Sequence, residues 1–369
     1  MKKVQDVKIF EKPPYLMIAV LFIGAFVAFL NNTLLNVALP SIMTAFNIVD
    51  YSTVQWLSTG YMLVSGVLVP TSAYLITKFR TRPLFITAMS IFIIGTAMAS
   101  FAPTFGFLLA GRMIQAAGAA AMSPILMNVM LISFPVEKRG QAMGMFGLVM
   151  VLAPAIGPTL SGWIVEHYDW SVLFKMILPI AIISLLLAIW KLEDVLPNRP
   201  AKIDMLSVVL STIGFGGLLY GFSTASSAGW SATEVWGTIV LGAIGIAWFI
   251  VRQFRLEEPL LDLRIFTYPA YALASVVSMV LSVAMFSGMI LTPAYVQNVR
   301  GIDPFEAGLM MLPGAIVMGI MSPITGKLFD RFGPRILAVI GLAITTVATL
   351  GLGYLEADSS YMYIITVYT

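Results

Sequence analysis

Arg112 and Gln115 stand three residues apart in the apolar stretch LLAGRMIQAAGAAAMSP, Leu108 to Pro124. Residues at that spacing share one helix face, so a guanidinium and an amide point the same way. A guanidinium does not release its proton. It cannot carry protons, but it can bias a nearby carboxylate or hold an anionic group. In lipid it is expensive, at about 2.5–3.5 kcal/mol on insertion scales. Two readings follow. The side chain snorkels to the outer interface, or it supplies a fixed positive charge to a water-filled cavity. We favour the second, which raises the question of what the charge acts on. Asp204, Glu234, Glu306 and Glu137 all fall at or near the ends of apolar runs, and none sits in the middle of one.

Other polar side chains within apolar runs are candidates for a substrate cavity. Asn31, Asn32 and Asn36 lie in LNNTLLNVALP, with Asn32 and Asn36 four apart as a polar stripe. Interhelical hydrogen bonding explains that stripe as well as substrate contact does. Gln55, Trp56 and Tyr61 open one run, and Tyr295, Gln297 and Asn298 close another. Aromatic residues at such ends also belong to interface belts. The 23 methionines offer an adaptable apolar surface, although most have ordinary packing roles. Lys175, near a run end, reads as a snorkelling side chain.

Soluble-enzyme chemistry is missing. There is no cysteine and a single histidine, His167. That excludes disulfides, thiolate metal sites and cysteine catalysis. No G-x-x-x-x-G-K-[ST] loop is present to cradle ATP. The glycines of GFGGLLYG, Gly214 to Gly221, sit inside an apolar run and read as helix-packing glycines. We expect no metal, no cofactor and no enzyme activity. The net charge of +3 is no sign of nucleic-acid binding, because membrane insertion explains where the cations lie.

The elements that must position these residues are transmembrane helices. Of 369 residues, 59% are hydrophobic and 11% charged, against about 25% charged in soluble proteins. Apolar runs long enough to cross ~30 Å of hydrocarbon lie near 15–40, 54–76, 83–101, 104–133, 140–163, 172–190, 204–222, 235–251, 270–296, 307–326 and 335–355. A twelfth begins near 361 and does not finish, so the chain reads as truncated within a longer protein. The first run is too long for a cleavable signal peptide.

Charge patterning supports this count. With the N-terminus in the cytoplasm, the inside segments hold Lys2, Lys3, Lys8, Lys12, Lys78, Arg80, Arg82, Lys138, Arg139, Lys191, Arg199, Lys202, Arg252, Arg255, Arg264, Lys327, Arg331 and Arg335. Only Arg300 falls outside, and Arg112 and Lys175 fall within spans. A missed or extra helix would invert the later loops and spoil this bias. The chain also repeats weakly. AYLITKFRTR (Ala73 to Arg82) follows the second span and GKLFDRFGPR (Gly326 to Arg335) follows the tenth. That offset suits duplicated six-helix halves with two helices inserted between them, a transporter signature.

Two stretches carry their own physics. In APAIGPTLSGW (Ala153 to Trp163), Ala153, Gly157 and Ser161 form a stripe of small residues for close helix packing. Pro154 and Pro158 each remove a helix donor and favour bending. In GKLFDRFGPR, Gly326 and Gly333 permit a tight turn, and Asp330 can pair with Arg331, Arg335 or a neighbouring helix end.

Together these stretches, with GRMIQAAGAA, LNNTLLNVALP and YVQNVRGIDPFEAGLMMLPG (Tyr295 to Gly314), resemble the major facilitator superfamily, and more narrowly its 14-helix drug:proton antiporter branch. The resemblance implies an all-α polytopic fold. It has an N-terminal six-helix bundle (1–192), two inserted helices (193–268) and an incomplete C-terminal bundle (269–369). It implies that Pro154, Gly157, Pro158 and Gly162 mark an exporter. It implies that Gly326, Asp330, Arg331, Gly333 and Arg335 form a cytoplasmic gate latch, and that Arg112 with Gln115 serves proton coupling. Two departures stand out. Many relatives have an aspartate where this chain has Asn31, which cannot titrate. The first-half gate copy has Ala73, Thr77 and Arg80 where the pattern has Gly, Asp and Gly.

The expectation is a bacterial inner-membrane exporter of small apolar or amphipathic drug-like compounds, exchanging them for protons and working as a monomer among membrane lipids. The shortage of buried carboxylates argues against lipophilic dications as substrates. Two rivals are kept: an exporter or flippase of lipids or lipid precursors on the same fold, and a non-transporting membrane regulator.

Overall fold

In hydrocarbon every backbone N–H and C=O must find a partner within the protein, and a continuous helix does this within one segment. The computed structural model of the chain is built on that principle. It describes residues 14–195, 204–257, 259–302, 304–356 and 359–369. The inside cations Lys2, Lys3, Lys8, Lys12, Arg199 and Lys202 lie outside the described residues. The helices are α1 (Tyr15–Ala45), α2 (Tyr51–Lys78), α3 (Thr81–Ser100), α4 (Phe105–Ser133), α5 (Arg139–His167), α6 (Val172–Lys191), α7 (Met205–Ala228), α8 (Thr233–Arg255), α9 (Pro269–Asn298), α10 (Pro304–Phe332), α11 (Pro334–Gly353) and the short α12 (Tyr361–Tyr368). Eleven are long and apolar enough to cross a membrane, and each coincides with an expected span. Several exceed the ~20 residues a crossing needs, because polar turns at their ends continue the helix. Prolines at 40, 70, 124, 154, 158, 179, 313 and 323 lie inside helices that continue through them.

The chain forms two compact units. The first comprises residues 1–133 and 164–264, and the second 134–163 and 265–369. In the first, α3 packs on α4 and α6, α1 lies against α2, α4 and α6, and the α7–α8 pair packs on α2. In the second, α10 is the central helix, packing on α9, α11 and α12.

Small residues set the closest approaches. A Cβ on Gly95 of α3 would stand 2.4 Å from the backbone nitrogen of Gln115 and 2.6 Å from the carbonyl oxygen of Gly111, both on α4. Only glycine lets those backbones touch, and that contact brings Thr96 to Gln115. The glycines of GFGGLLYG act as expected: a Cβ on Gly217 would lie 2.9 Å from the Cα of Gly242 on α8.

One end of the α7–α8 pair is closed by a polar clamp. Asp204 receives Nε of Arg252 at 2.7 Å and Nη2 at 2.8 Å. Gln253 donates to Ser207 at 2.7 Å and accepts from the backbone N–H of Leu260 at 2.7 Å. The Arg252 hydrogen bonds pull the Asp204 carboxyl down to about 2. Its usual value is about 3.9, so the clamp stabilises fully above that value and weakens as pH falls through about 2. The melting difference between wild type and Asp204→Asn should therefore stay constant from neutral pH down to about 4 and close only below that. A difference that shrinks between pH 7 and 5 would contradict the clamp.

Candidate functional site

Arg112 is the largest fully buried side chain among the described residues, with 0% of it exposed. Its Nη1 donates to Oδ1 of Asn31 and, at 2.7 Å, to Oε1 of Gln115. Its Nε makes a longer contact of 3.4 Å with the carbonyl oxygen of Leu57. Gln115 passes the chain on, donating Nε2 to Thr96 Oγ1 at 2.8 Å. Thr96 in turn donates to the carbonyl of Phe92 at 2.7 Å. The guanidinium carbon lies 4.4 Å from the centre of the Tyr61 ring and 5.9 Å from that of Phe174. Five helices, α1, α2, α3, α4 and α6, thus converge on one cation, all within the first unit.

Snorkelling, the alternative set aside above, does not describe Arg112. The side chain does not reach for an interface, because neutral acceptors and an aromatic face are offered to it inside the bundle. In this conformation it is also enclosed, without contact to open water. Every acceptor it uses is neutral. Its Nη2 has no acceptor and is buried, with the Tyr61 ring close by; an aromatic face attracts a cation through its quadrupole. The arrangement is chemically a fixed, desolvated positive charge on amide oxygens.

The other cavity candidates separate. Asn31, whose role the missing acid made uncertain, is the residue on the guanidinium. Asn36 is exposed and accepts from Ser58 Oγ at 2.8 Å. Asn32, half-buried, keeps a buried Oδ1 without a partner. Gln55 is exposed, and Trp56 rests against the Tyr220 ring at 5.5 Å. Tyr61 departs from an interface-belt role, being buried against Arg112. In the second unit Tyr295 donates its hydroxyl to the carbonyl of Glu356 at 2.5 Å. The side chains of Gln297 and Asn298 lie outside the described residues. Lys175 is exposed at a helix end and donates to Ser171 Oγ at 2.9 Å.

The second charged centre lies in the second unit. The gate segment is not a free loop. Gly326, Asp330 and Arg331 belong to the last turns of α10, Gly333 makes the turn with φ +76°, and Arg335 starts α11. The expectation that Gly326 forms a turn is corrected: it is a contact point. A Cβ there would meet the carbonyl oxygen of Gly140 on α5 at 2.4 Å. That contact places Asp330 over the start of α5, where it accepts from the backbone N–H of Gly140 at 2.7 Å and of Gln141 at 2.9 Å. The first turn of a helix has unpaired N–H groups and a positive dipole end, both suited to a carboxylate. Of the three partners open to Asp330, the helix end is the one it takes. Arg331 lies against its neighbour Phe332 instead, 5.2 Å from the ring.

Sequence reasoning missed Gly140, Gly144 and Gly147 as the matching face on α5. A Cβ on Gly144 would meet the Ser322 carbonyl at 2.6 Å, and Ser322 Oγ donates to the Gly144 carbonyl at 2.7 Å. The signal was present, since glycines at i, i+4 and i+7 mark a packing face. Further along α5, Ala153, Gly157 and Ser161 are buried as a stripe, while Gly162 has open space beside it. In the first-half copy Thr77 back-bonds to Tyr74, and Asp194 takes over as the acid, accepting from the backbone N–H of Arg82 at 3.0 Å. The side chain of Ala73 lies outside the described residues.

Asp330→Asn leaves one acceptor where two N–H groups need one each. The expected cost is about 1 kcal/mol in stability. Because the chain has no cysteine, a single thiol introduced at Gln141 can report the contact. It should react faster with a water-soluble maleimide in Asp330→Asn, and equal rates would remove the latch.

Among the described residues, eleven helices long and apolar enough to cross a membrane define an integral membrane protein. The chain belongs to the major facilitator superfamily: residues 21–369 match the model of that family. It is 49% identical over 362 residues to the MFS-type transporter YcnB of Bacillus subtilis (strain 168), covering 97% of this chain and 76% of that protein. It is 42% identical over 356 residues to the lincomycin resistance protein LmrB of Listeria monocytogenes, covering 96% and 75%. Among solved structures, the proton:xylose symporter XylE bound to 6-bromo-6-deoxy-D-glucose shares the fold, with a TM-score of 0.61 at 12% identity over 96% of this chain and 78% of that one.

Proposed function

We propose that the protein is a bacterial inner-membrane exporter of the 14-helix drug:proton antiporter branch. It moves small apolar or amphipathic drug-like compounds out of the cell in exchange for protons. The likeness to LmrB, a protein named for lincomycin resistance, supports the substrate class. The observation that carries the mechanism is the buried Arg112 on Asn31 and Gln115, a permanent charge without a carboxylate among its contacts. A neutral, zwitterionic or anionic compound suits such a centre better than a dication, which it would repel. Export proceeds by alternating access of the N-terminal bundle, 1–192, and the C-terminal bundle from 269 onward, with 193–268 as the inserted pair and the N-terminus in the cytoplasm. Asp330 on the start of α5 holds one conformation until substrate binding releases it. Asn31 cannot titrate, so the proton carrier lies elsewhere; an end carboxylate such as Glu306 and the substrate itself are two candidates among others.

The test is flux in proteoliposomes for a panel of lipophilic antibiotics and dyes, with a pH gradient imposed and then collapsed. Export that depends on the gradient supports antiport. Export that ignores it leaves an exporter of another coupling and makes Arg112 a substrate-binding charge. Binding without flux for every compound would overturn the exporter reading.

A further inference from the structure

Gln115 sits between two neighbours that ask different things of its amide. On one side Arg112 Nη1 donates to Oε1 at 2.7 Å. A guanidinium has donors only, so it can meet the oxygen end of the amide and never the NH₂ end. On the other side Nε2 donates to Thr96 Oγ1 of α3 at 2.8 Å. A hydroxyl has one proton and two lone pairs. Thr96 gives its proton to the Phe92 carbonyl one turn back, at 2.7 Å, as threonine within a helix often does. Only its lone pairs remain for Gln115. They select the NH₂ end, and the carbonyl oxygen is thereby turned to Arg112. The row from Arg112 through Gln115 and Thr96 to Phe92 therefore donates in one direction throughout.

The two helices leave Thr96 no room to drift. It is fully buried. A Cβ on Gly118 of α4 would stand 2.5 Å from the carbonyl oxygen of Ala88 and 2.5 Å from the backbone nitrogen of Phe92. A Cβ on Gly111 would stand 3.0 Å from the backbone nitrogen of Ala99. The backbones of α3 and α4 thus touch at Gly111 and at Gly118, on either side of Gln115. A second hold on the amide matters because its last torsion is soft. If Arg112 acts on a substrate group or a proton carrier, its fork must turn from Gln115 at some step. From then on only Thr96 keeps the amide from rotating. We propose that Thr96 is a positioning residue for Arg112: it fixes Gln115 Oε1 as the acceptor from which the cation leaves and to which it returns. This rests on the reading that Arg112 serves export.

The experiment compares Thr96→Val, which keeps the branched shape without the hydroxyl, with Thr96→Ser, which keeps the hydroxyl. The full chain is labelled with ¹⁵N-arginine in lipid, and the Arg112 guanidinium signal is identified as the one lost in Arg112→Met. That signal should move in Thr96→Val and return in Thr96→Ser. Flux of radiolabelled lincomycin in proteoliposomes, under an imposed pH gradient, should lose maximal rate several-fold in Thr96→Val and recover in Thr96→Ser. An unmoved Arg112 signal in Thr96→Val would overturn the proposal. So would a wild-type rate in Thr96→Val beside an inactive Arg112→Met, which would leave Arg112 its role and remove that of Thr96 alone. Normal flux in Arg112→Met would instead overturn the export role of Arg112 itself, and the proposal with it.

Discussion

Arg112→Met should reach the membrane, melt near the wild-type temperature, and transport nothing. Three physical terms combine in that expectation. Insertion improves, because the substitution removes a charge that costs about 2.5–3.5 kcal/mol at mid-span. Folding sheds the desolvation cost of the buried cation. Asn31 Oδ1 and Gln115 Oε1 lose their donor, which costs about 1–3 kcal/mol each and offsets most or all of that gain. Function has no such compensation: if the fixed cation takes part in coupling or in holding substrate, a thioether cannot replace it.

Two companion variants sharpen the result. Arg112→Ala removes the charge and also leaves a void among α1, α2, α4 and α6, so it should lose both flux and several degrees of melting temperature. Arg112→Lys keeps the charge, but a compact ammonium lacks the planar fork that spans two acceptors and rests on an aromatic face. It should insert and fold yet fail to restore export. Flux and melting temperature measured side by side in proteoliposomes decide the matter. Normal export by Arg112→Met would reduce the whole cluster to a packing feature.

The helices were legible because bilayer thickness and backbone satisfaction leave the sequence few choices. An apolar run of 20 residues bounded by polar ends becomes one helix, and Thr81–Ser100 and Val172–Lys191 follow their runs almost residue for residue. Arg112 was legible for the same reason, as a charge in a run that should hold none. Its surroundings were not. Asn31, Leu57, Thr96 and Phe174 come from four other helices, and their meeting depends on how closely backbones approach at glycines such as Gly95. Hydropathy carries no such distances. Tyr61 was hidden differently. An aromatic residue in the first turns of a span resembles an interface anchor, and only the packing of α2 on α4 turns it inward. The gate segment shows a third limit: its Asp, Arg and Gly order was visible, but its reach to Gly140 joins positions nearly two hundred residues apart.

That reach makes Gly326→Val the substitution with the largest expected structural effect. A Cβ on Gly326 would stand 2.4 Å from the carbonyl oxygen and 3.0 Å from the carbonyl carbon of Gly140, and 3.1 Å from the Cα of Gly144. These are backbone atoms inside helices, so no side chain can swing away to make room. The helices must separate, and separation lifts Asp330 from its two donors as well. Overpacking of this kind costs about 1–3 kcal/mol, and hydrogen bonds to a charged group add about 1.5–3 kcal/mol. Gly326→Ala carries the same first carbon and should lose most of the same stability, which a merely bulky-residue effect would not predict. Asp330→Asn in the Gly326→Val background should then cost almost nothing more, because groups acting through one contact are not additive. Melting temperatures of the two single variants and the double variant measure this directly. Full additivity, or a wild-type melt for Gly326→Val, would mean that α5 and α10 do not hold Asp330 through this contact.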